Sequence, residues 1–177
     1  MVQLYLALID DEEDQARFEA AYYKYKDLMH FIAKEILKDE HRGEDAVQEA
    51  FIRIAKNFHK VGKAEDTRTK NFFLMITRRV SINMLEREEI FRTASEEELN
   101  YYENTGFHED SSYSSYETDA MKAVLSLPES LKNVVYLQTI YGFDGKETAS
   151  LLGISVDAVW KRASRARAVL EKELREK

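Results

Sequence analysis

Hydrophobic residues recur at three- and four-residue steps along most of the chain, with polar residues between them. This spacing is typical of amphipathic α-helices, which turn one apolar face toward a core. The predicted helices cover residues 12–38, 44–57, 70–87, 118–126, 129–141, 146–152 and 156–175. The pattern therefore predicts an all-α fold, with three helices in the first half of the chain and four in the second.

The apolar positions of these helices define a candidate core for each half. In the first half they are Phe18, Tyr22, Tyr25, Met29, Ile32, Ile36, Val47, Phe51, Ile54, Phe58, Phe73, Ile76, Val80 and Leu85. In the second half they are Leu131, Val134, Val135, Leu137, Val156, Val159, Ala163, Ala166 and Leu170. Between the helices we expect a turn at 41–43 and a polar loop at 59–69. The acids at 10–14 predict a helix start, because the helix dipole favours negative charge there.

Residues 90–119 interrupt the helical pattern with a stretch rich in Ser, Glu, Asn and Tyr, including TASEEELNYYENTGFHEDSSYSSYETD. Such a composition is typical of a linker. This part of the chain also accounts for the net negative charge, since residues 88–119 contain one basic residue and ten acidic ones while the whole chain has net charge -7. The acidity therefore does not exclude DNA binding by the flanks. We expect two small helical domains, 1–89 and 120–177, joined by an acidic linker at 90–119.

The last two predicted helices have the features of a helix–turn–helix in the stretch LLGISVDAVWKRASRARAVL. Gly153 permits a tight turn, and Ser155 is placed to cap the following helix. At about 100° per residue, Lys161 and Arg165 share the face opposite the apolar one and would point toward a DNA groove. Trp160 lies about 100° from the apolar face residue Val159, so both a core and a groove position remain open for it.

Several classes of function find no support in the sequence. There is no Cys, which excludes disulfides and thiolate zinc sites and is compatible with a reducing cytoplasm. The four His are dispersed, and no Gly-rich phosphate loop is present, so no metal, cofactor or catalytic site is predicted. No apolar run approaches the roughly 20 residues needed to span a bilayer, so membrane insertion is not expected. The prediction is a cytoplasmic protein that is not an enzyme.

The segment LPESLKNVVYLQTIYGFDGKETASLLGISVDAVWKRASRARAVLEKEL resembles region four of bacterial RNA polymerase sigma factors, especially the extracytoplasmic-function type. FEAAYYKYKDLMHFIAKEIL, GEDAVQEAFIRIAKNF and TKNFFLMITRRVSINMLERE are similar to successive parts of region two. The resemblance covers nearly the whole chain apart from the linker and the first few residues. It implies a sigma factor that binds core RNA polymerase and directs promoter-specific transcription initiation. Many such factors have an anti-sigma partner, which no residue here identifies.

The resemblance also implies where each partner binds. A polymerase-binding face is expected on the D-x-x-Q-E-x-F helix, at Asp45, Gln48, Glu49 and Arg53. The loop 60–69 lies where the family holds a flipped base of the minus-ten element. Unstacking a base costs free energy, so a pocket and nearby cations are expected there to offset that cost. The residues expected to contact DNA are Lys70, Arg78 and Arg79 near this loop, and Trp160, Lys161, Arg162 and Arg165 at the minus-thirty-five element.

Four positions depart from the family pattern. Arg79 stands where relatives commonly have Asn, Asp157-Ala158 replaces a frequent Gly-Thr pair, and Trp160 replaces a basic residue. The promoter sequence therefore does not carry over, and Trp160 is expected at the groove edge or against a partner rather than in the core. Two rival interpretations remain: a helix–turn–helix regulator with an N-terminal sensing or dimerising module, and an interaction protein that does not touch DNA.

Overall fold

The computed structural model describes residues 1–92 and 119–175, and the described part is built from α-helices without a strand. The helices are α1 (Val2–Leu6), α2 (Glu12–Leu37), α3 (Glu40–Lys56), α4 (Thr67–Arg92), α5 (Asp119–Ser126), α6 (Glu129–Val135), α7 (Gly145–Leu152) and α8 (Val156–Arg175). A 3-10 turn at Phe58–Lys60 follows α3, and a π-helical turn at Tyr136–Ile140 extends α6. The predicted all-α fold is confirmed. Of the predicted linker, residues 93–118 lie outside the described residues.

The reversal between α2 and α3 corrects the predicted turn at 41–43. Lys38 adopts the left-handed conformation, with φ 54, and its N–H donates to the Lys34 carbonyl at 2.8 Å. Asp39 then caps α3, because its carboxylate accepts a hydrogen bond from the Arg42 N–H at 2.9 Å. His41 to Gly43 are helical, so the expectation of a turn there was wrong. A good N-cap four residues earlier outweighs the weak helix propensity of one glycine.

The sequence pattern did not predict α1, because five residues are too short to show a helical period. Its two inward side chains, Val2 and Tyr5, are buried. The Tyr5 ring lies 5.4 Å from the ring of Phe51 on α3. Packing against α2 and α3 therefore stabilises a helix that would be marginal as an isolated segment.

The described residues fall into two compact units: residues up to 92 together with Ser150–Gly153 form the first, and the other described residues from Asp119 onward form the second. In the first unit, α2, α3 and α4 pack around an aromatic cluster. The Phe18 ring lies 5.2 Å from that of Phe58 and 6.1 Å from that of Phe51, and Phe73 lies 6.2 Å from Phe51. Such edge-to-face pairs add to the free energy of burial. Most predicted core residues of this unit are buried, while Tyr22, Ile36 and Leu85 are only partly buried.

In the second unit, α5 and α6 pack against α8. The apolar residues buried here include Ala123, Val134, Leu137, Phe143, Val159 and Ala166. Val156, the first residue of α8, was expected in this core but is 37% exposed. No helix in the described part of the chain is long and apolar enough to cross a membrane.

Candidate nucleic-acid and polymerase interfaces

The first helix of the terminal pair, α7, begins with a reciprocal capping arrangement. The Asp144 carboxylate accepts hydrogen bonds from the N–H groups of Lys146 and Glu147, at 2.7 and 2.9 Å. In return, the Glu147 carboxylate accepts from the Asp144 N–H at 2.7 Å. Three donors at the start of a short helix are thus satisfied, which sets where α7 begins.

The turn between α7 and α8 has the two features that the sequence predicts. Gly153 has φ 67, a left-handed conformation that glycine adopts without a Cβ clash. The Ser155 hydroxyl accepts a hydrogen bond from the Ala158 N–H at 3.1 Å and so caps α8. The direction of α8 is therefore set locally, by a glycine turn and a serine cap.

The outer face of α8 is exposed over its whole length and is formed by Asp157, Lys161, Ser164, Arg165 and Ala168. Lys161 and Arg165 lie four residues apart, about one helical turn. The Lys161 ammonium forms an ion pair with the Asp157 carboxylate at 2.7 Å, and both side chains are well exposed. Arg162 is partly buried and flanks this face. The face can present Lys161 and Arg165 to a DNA groove, with Lys161 already paired with the Asp157 carboxylate.

Trp160 lies on the surface of the second unit, with 60% of its area exposed. One edge of its indole lies against the start of α7, where a Cβ added to Gly145 would be 3.4 Å from Cζ2. The ring therefore lies close to the first turn of α7, at a distance where a Cβ would make only an ordinary van der Waals contact. The side chain is outside the core, as expected, and its contact with DNA or a partner stays a prediction.

The α3 residues expected to bind polymerase share the side of the helix opposite its core face. Asp45 is exposed, while Gln48 and Glu49 are partly buried. The Arg53 Nε donates to a Glu49 carboxylate oxygen at 2.7 Å, and the Arg53 side chain is only 11% exposed. Phe51 points inward, as expected. Gln48 also borders an open cleft of about 340 Å³ between α1, α2 and α3, whose walls include Tyr5, Tyr22 and His30.

The three α4 cations expected near the minus-ten element do not share one face. Lys70 is exposed and Arg78 is partly buried, but Arg79 is 7% exposed. The Arg79 guanidinium lies 3.9 Å from a Glu86 carboxylate oxygen. Lys70 and Arg79 are nine residues apart and so about 180° apart around the helix. Phosphate contact by Lys70 is compatible with this geometry, whereas contact by Arg79 would require its side chain to be uncovered.

Two residues that sequence reasoning did not connect with a site hold the loop before α4. Arg17 and Tyr25, both on α2, donate hydrogen bonds to carbonyl groups of Val61 and Ala64. The sequence pattern assigned Tyr25 to the core and gave Arg17 no role. These contacts join residues 44 and 39 positions apart, a separation at which helical periodicity carries no signal.

Shifted pKa values occur at three places in this unit. Burial raises the pKa of Tyr25, and the nearby carboxylates of Glu65 and then Asp66 raise it further. The pKa of Tyr5 is raised by burial and then by Tyr22. On the surface, the hydrogen bond between Lys34 and Glu40 raises the pKa of the lysine and lowers that of the glutamate. Within the described residues no cluster of His, Asp or Glu could hold a metal ion.

Family comparison matches both units. The model for Sigma-70 region 2 matches residues 21–89, and the model for Sigma-70, region 4 matches residues 118–170. No curated protein matches the chain. Among solved structures, CnrH in complex with the cytosolic domain of CnrY is 20% identical, with a TM-score of 0.35, and the match covers 99% of this chain and 95% of that one. The sigma factor RpoE, in complex with the anti-sigma factor NepR from Bartonella quintana, is 17% identical, with a TM-score of 0.37, over 89% of this chain and 96% of that one.

These two structural likenesses are too weak to carry an argument, whereas the two family matches together span more than half of the chain, in the order and at the positions that the motifs predict. The chain therefore belongs to the sigma-70 family and is a sigma factor that directs transcription initiation.

Proposed function

We propose that residues 1–89 bind core RNA polymerase and the minus-ten element, that residues 120–177 bind the minus-thirty-five element, and that residues 90–119 link them. The observation that carries this division is the exposed face of α8, where Lys161 and Arg165 lie. The helix follows a glycine turn and is capped by a serine. Helices presented in this way enter the major groove, where lysine and arginine reach base edges and phosphates. Arg162 and Trp160 flank that face and would contact its rim.

The polymerase contact is proposed for the α3 face that carries Asp45, Gln48, Glu49 and Arg53. Asp45 is accessible, and the Glu49–Arg53 ion pair gives the face a defined arrangement of charge. Charges at the edge of an interface mainly set the association rate and the choice of partner. The minus-ten contact is proposed for the loop before α4 together with Lys70, the most exposed of the three cations, and Arg78. Arg79 would contribute only once its buried side chain is uncovered.

Sigma factors are in general initiation factors rather than enzymes. We propose that this chain follows the rule, that the chemistry of RNA synthesis stays with the polymerase, and that it acts in the cytoplasm where the template is. An anti-sigma factor is a further expected partner, since many members of the family have one. Its binding would be tested by competition with core polymerase for this chain.

The experiment that tests the proposal combines the purified chain with core polymerase and a library of randomised duplexes, from which productive promoters are recovered by run-off transcription. We expect recovery of a shared two-part sequence that core polymerase alone does not select. Lys161→Ala and Arg165→Ala should each relax selection at a position of the upstream element, because loss of a base contact costs about 1–3 kcal/mol. If the chain neither binds core polymerase nor enriches any sequence, the simple helix–turn–helix regulator becomes the better interpretation.

A further inference from the structure

The loop of residues 61–66 leads into α4, and side chains of α2 form hydrogen bonds to its backbone. The Arg17 guanidinium donates from Nη1 to the Val61 carbonyl at 2.6 Å. The Tyr25 hydroxyl donates to the Ala64 carbonyl in a buried hydrogen bond. Two carbonyl groups, three residues apart in a loop without regular structure, are therefore both held by side chains of one helix.

The two donors are themselves fixed by their surroundings. The Tyr25 ring packs 5.5 Å from the ring of Phe73 on α4. The Arg17 guanidinium lies 5.8 Å from the centre of the Phe58 ring and forms an ion pair with Asp14, one turn earlier on α2. Because each donor is packed on an aromatic ring, α2 provides a rigid support for the loop rather than a flexible tether.

The loop points its remaining groups in two directions. The side chains of Val61 and Ala64 are buried, whereas Gly62, Lys63 and Glu65 are exposed. The Asp66 carboxylate accepts a hydrogen bond from the Lys63 N–H at 3.1 Å and closes the turn. The held carbonyls and buried side chains of Val61 and Ala64 thus fix the positions of the exposed residues between and after them.

Tyr25 is suited to remain a donor under ordinary conditions. Burial raises its pKa, and the carboxylates of Glu65 and Asp66 add to the shift. The phenol therefore stays protonated near neutral pH, and the Ala64 carbonyl keeps its partner. If the hydroxyl were removed, the buried Ala64 carbonyl would lose this hydrogen bond, so the loop is expected to shift.

We propose that Arg17 and Tyr25 are positioning residues for promoter recognition. Through their hydrogen bonds to the loop carbonyls they set the conformation of the 61–66 loop, and they do not contact DNA themselves. This inference rests on the proposed function, in which the loop contacts the minus-ten element. Its physical basis is that recognition by a loop depends on holding its groups within a fraction of an ångström, and supporting hydrogen bonds provide that precision.

The test uses Tyr25→Phe and Arg17→Lys in the full chain, each assembled with core polymerase. Tyr25→Phe keeps the packed ring and removes only the hydroxyl, and Arg17→Lys keeps the charge but loses the planar fork. Tyr23→Phe, an exposed tyrosine on the same helix, is the matched control. Initiation is measured on the promoter that wild type selects and on single-base variants of its minus-ten and minus-thirty-five elements. Affinity for core polymerase and the thermal midpoint are measured in parallel.

We expect discrimination at one or two minus-ten positions to fall by roughly five- to tenfold in both variants, since the loss is comparable to that of one base contact. Discrimination at the minus-thirty-five positions and affinity for core polymerase should stay at the wild-type level, as should all readouts of Tyr23→Phe. A uniform fall in initiation on every promoter, with unchanged preferences, would show a purely structural role and overturn the inference. So would wild-type discrimination in both variants. A wild type without any minus-ten preference would overturn the proposed function of the loop as well.

Discussion

At the residue scale, Asp157 has the clearest consequence for DNA binding. Its carboxylate pairs with the Lys161 ammonium at 2.7 Å on the outer face of α8. An exposed pair of this kind contributes little to stability. Toward DNA, however, the carboxylate both repels phosphate and shares the cation that phosphate would attract. If α8 binds DNA as proposed, Asp157 is expected to weaken the general electrostatic part of binding and to leave more of the affinity to base contacts.

Replacing Asp157 with Asn is expected to tighten binding to duplex DNA of any sequence by about three- to tenfold at low salt, because a phosphate contact of Lys161 is then unopposed. The dependence of affinity on salt should steepen, by up to about one unit of slope. Fluorescence anisotropy with a labelled duplex at several salt concentrations measures both. Glu171→Gln makes the same change of charge about 21 Å further along α8 and serves as the control. Equal affinities for Asp157→Asn and wild type would place Lys161 away from DNA.

At the scale of the element, the stability of α7 depends on its N-terminal cap more than on its length. It has only eight residues, fewer than an isolated helix needs for stability in water. The Asp144 and Glu147 carboxylates satisfy the donors at its start. Trp160 lies against the first turn of α7 and is the only tryptophan of the chain. Its fluorescence therefore reports on the terminal helix pair.

Asp144→Ala is expected to lower the free energy of unfolding of this unit by about 1 kcal/mol, because the donors of the first turn lose their acceptor. Urea unfolding followed by Trp160 fluorescence gives the measurement. Asp144→Asn retains an acceptor oxygen and should cost less, so the pair separates capping from any general effect of the position. If both variants unfold at the wild-type urea concentration, the cap does not limit the stability of α7.

At the scale of the whole molecule, charge is divided along the chain. The ten acidic residues within 88–119 lie between a nearly neutral segment and a C-terminal segment in which basic residues outnumber acidic ones. A concentration of negative charge in the same molecule lowers its affinity for free DNA at low ionic strength, over a range of about one Debye length. The full chain, without polymerase, should therefore bind duplex DNA more weakly than the basic face of α8 would without the acidic segment.

Neutralising three of these acids (Glu96→Gln, Glu97→Gln and Glu98→Gln together) is expected to tighten full-length binding to free duplex DNA severalfold at low salt, and to have little effect where screening is strong. Anisotropy titrations at two salt concentrations give the comparison. The control carries three similar changes at exposed acids of α2 and α3, Glu12→Gln, Asp27→Asn and Glu44→Gln. An equal gain in the control would mean that net charge matters and its location does not.

The sequence by itself determined the features that depend on neighbours within one or two helical turns. The apolar period predicted every helix from α2 to α8, and it also predicted the exposed basic face of α8. Gly153 and Ser155 marked the turn and the cap because their effects are local. The order of the two family motifs was likewise readable from the chain alone and is confirmed by the family matches.

Only the tertiary structure decided which polar side chains are available and what holds the loop before α4. Arg79 is a cation by sequence, yet it is 7% exposed and lies on the other side of α4 from Lys70. Tyr25 was predicted as core, and the structure adds that its hydroxyl supports a loop 39 residues away. The physical reason is the range of the interactions: helix periodicity and capping act over about four residues, whereas burial and long-range hydrogen bonds depend on segments that only folding brings together.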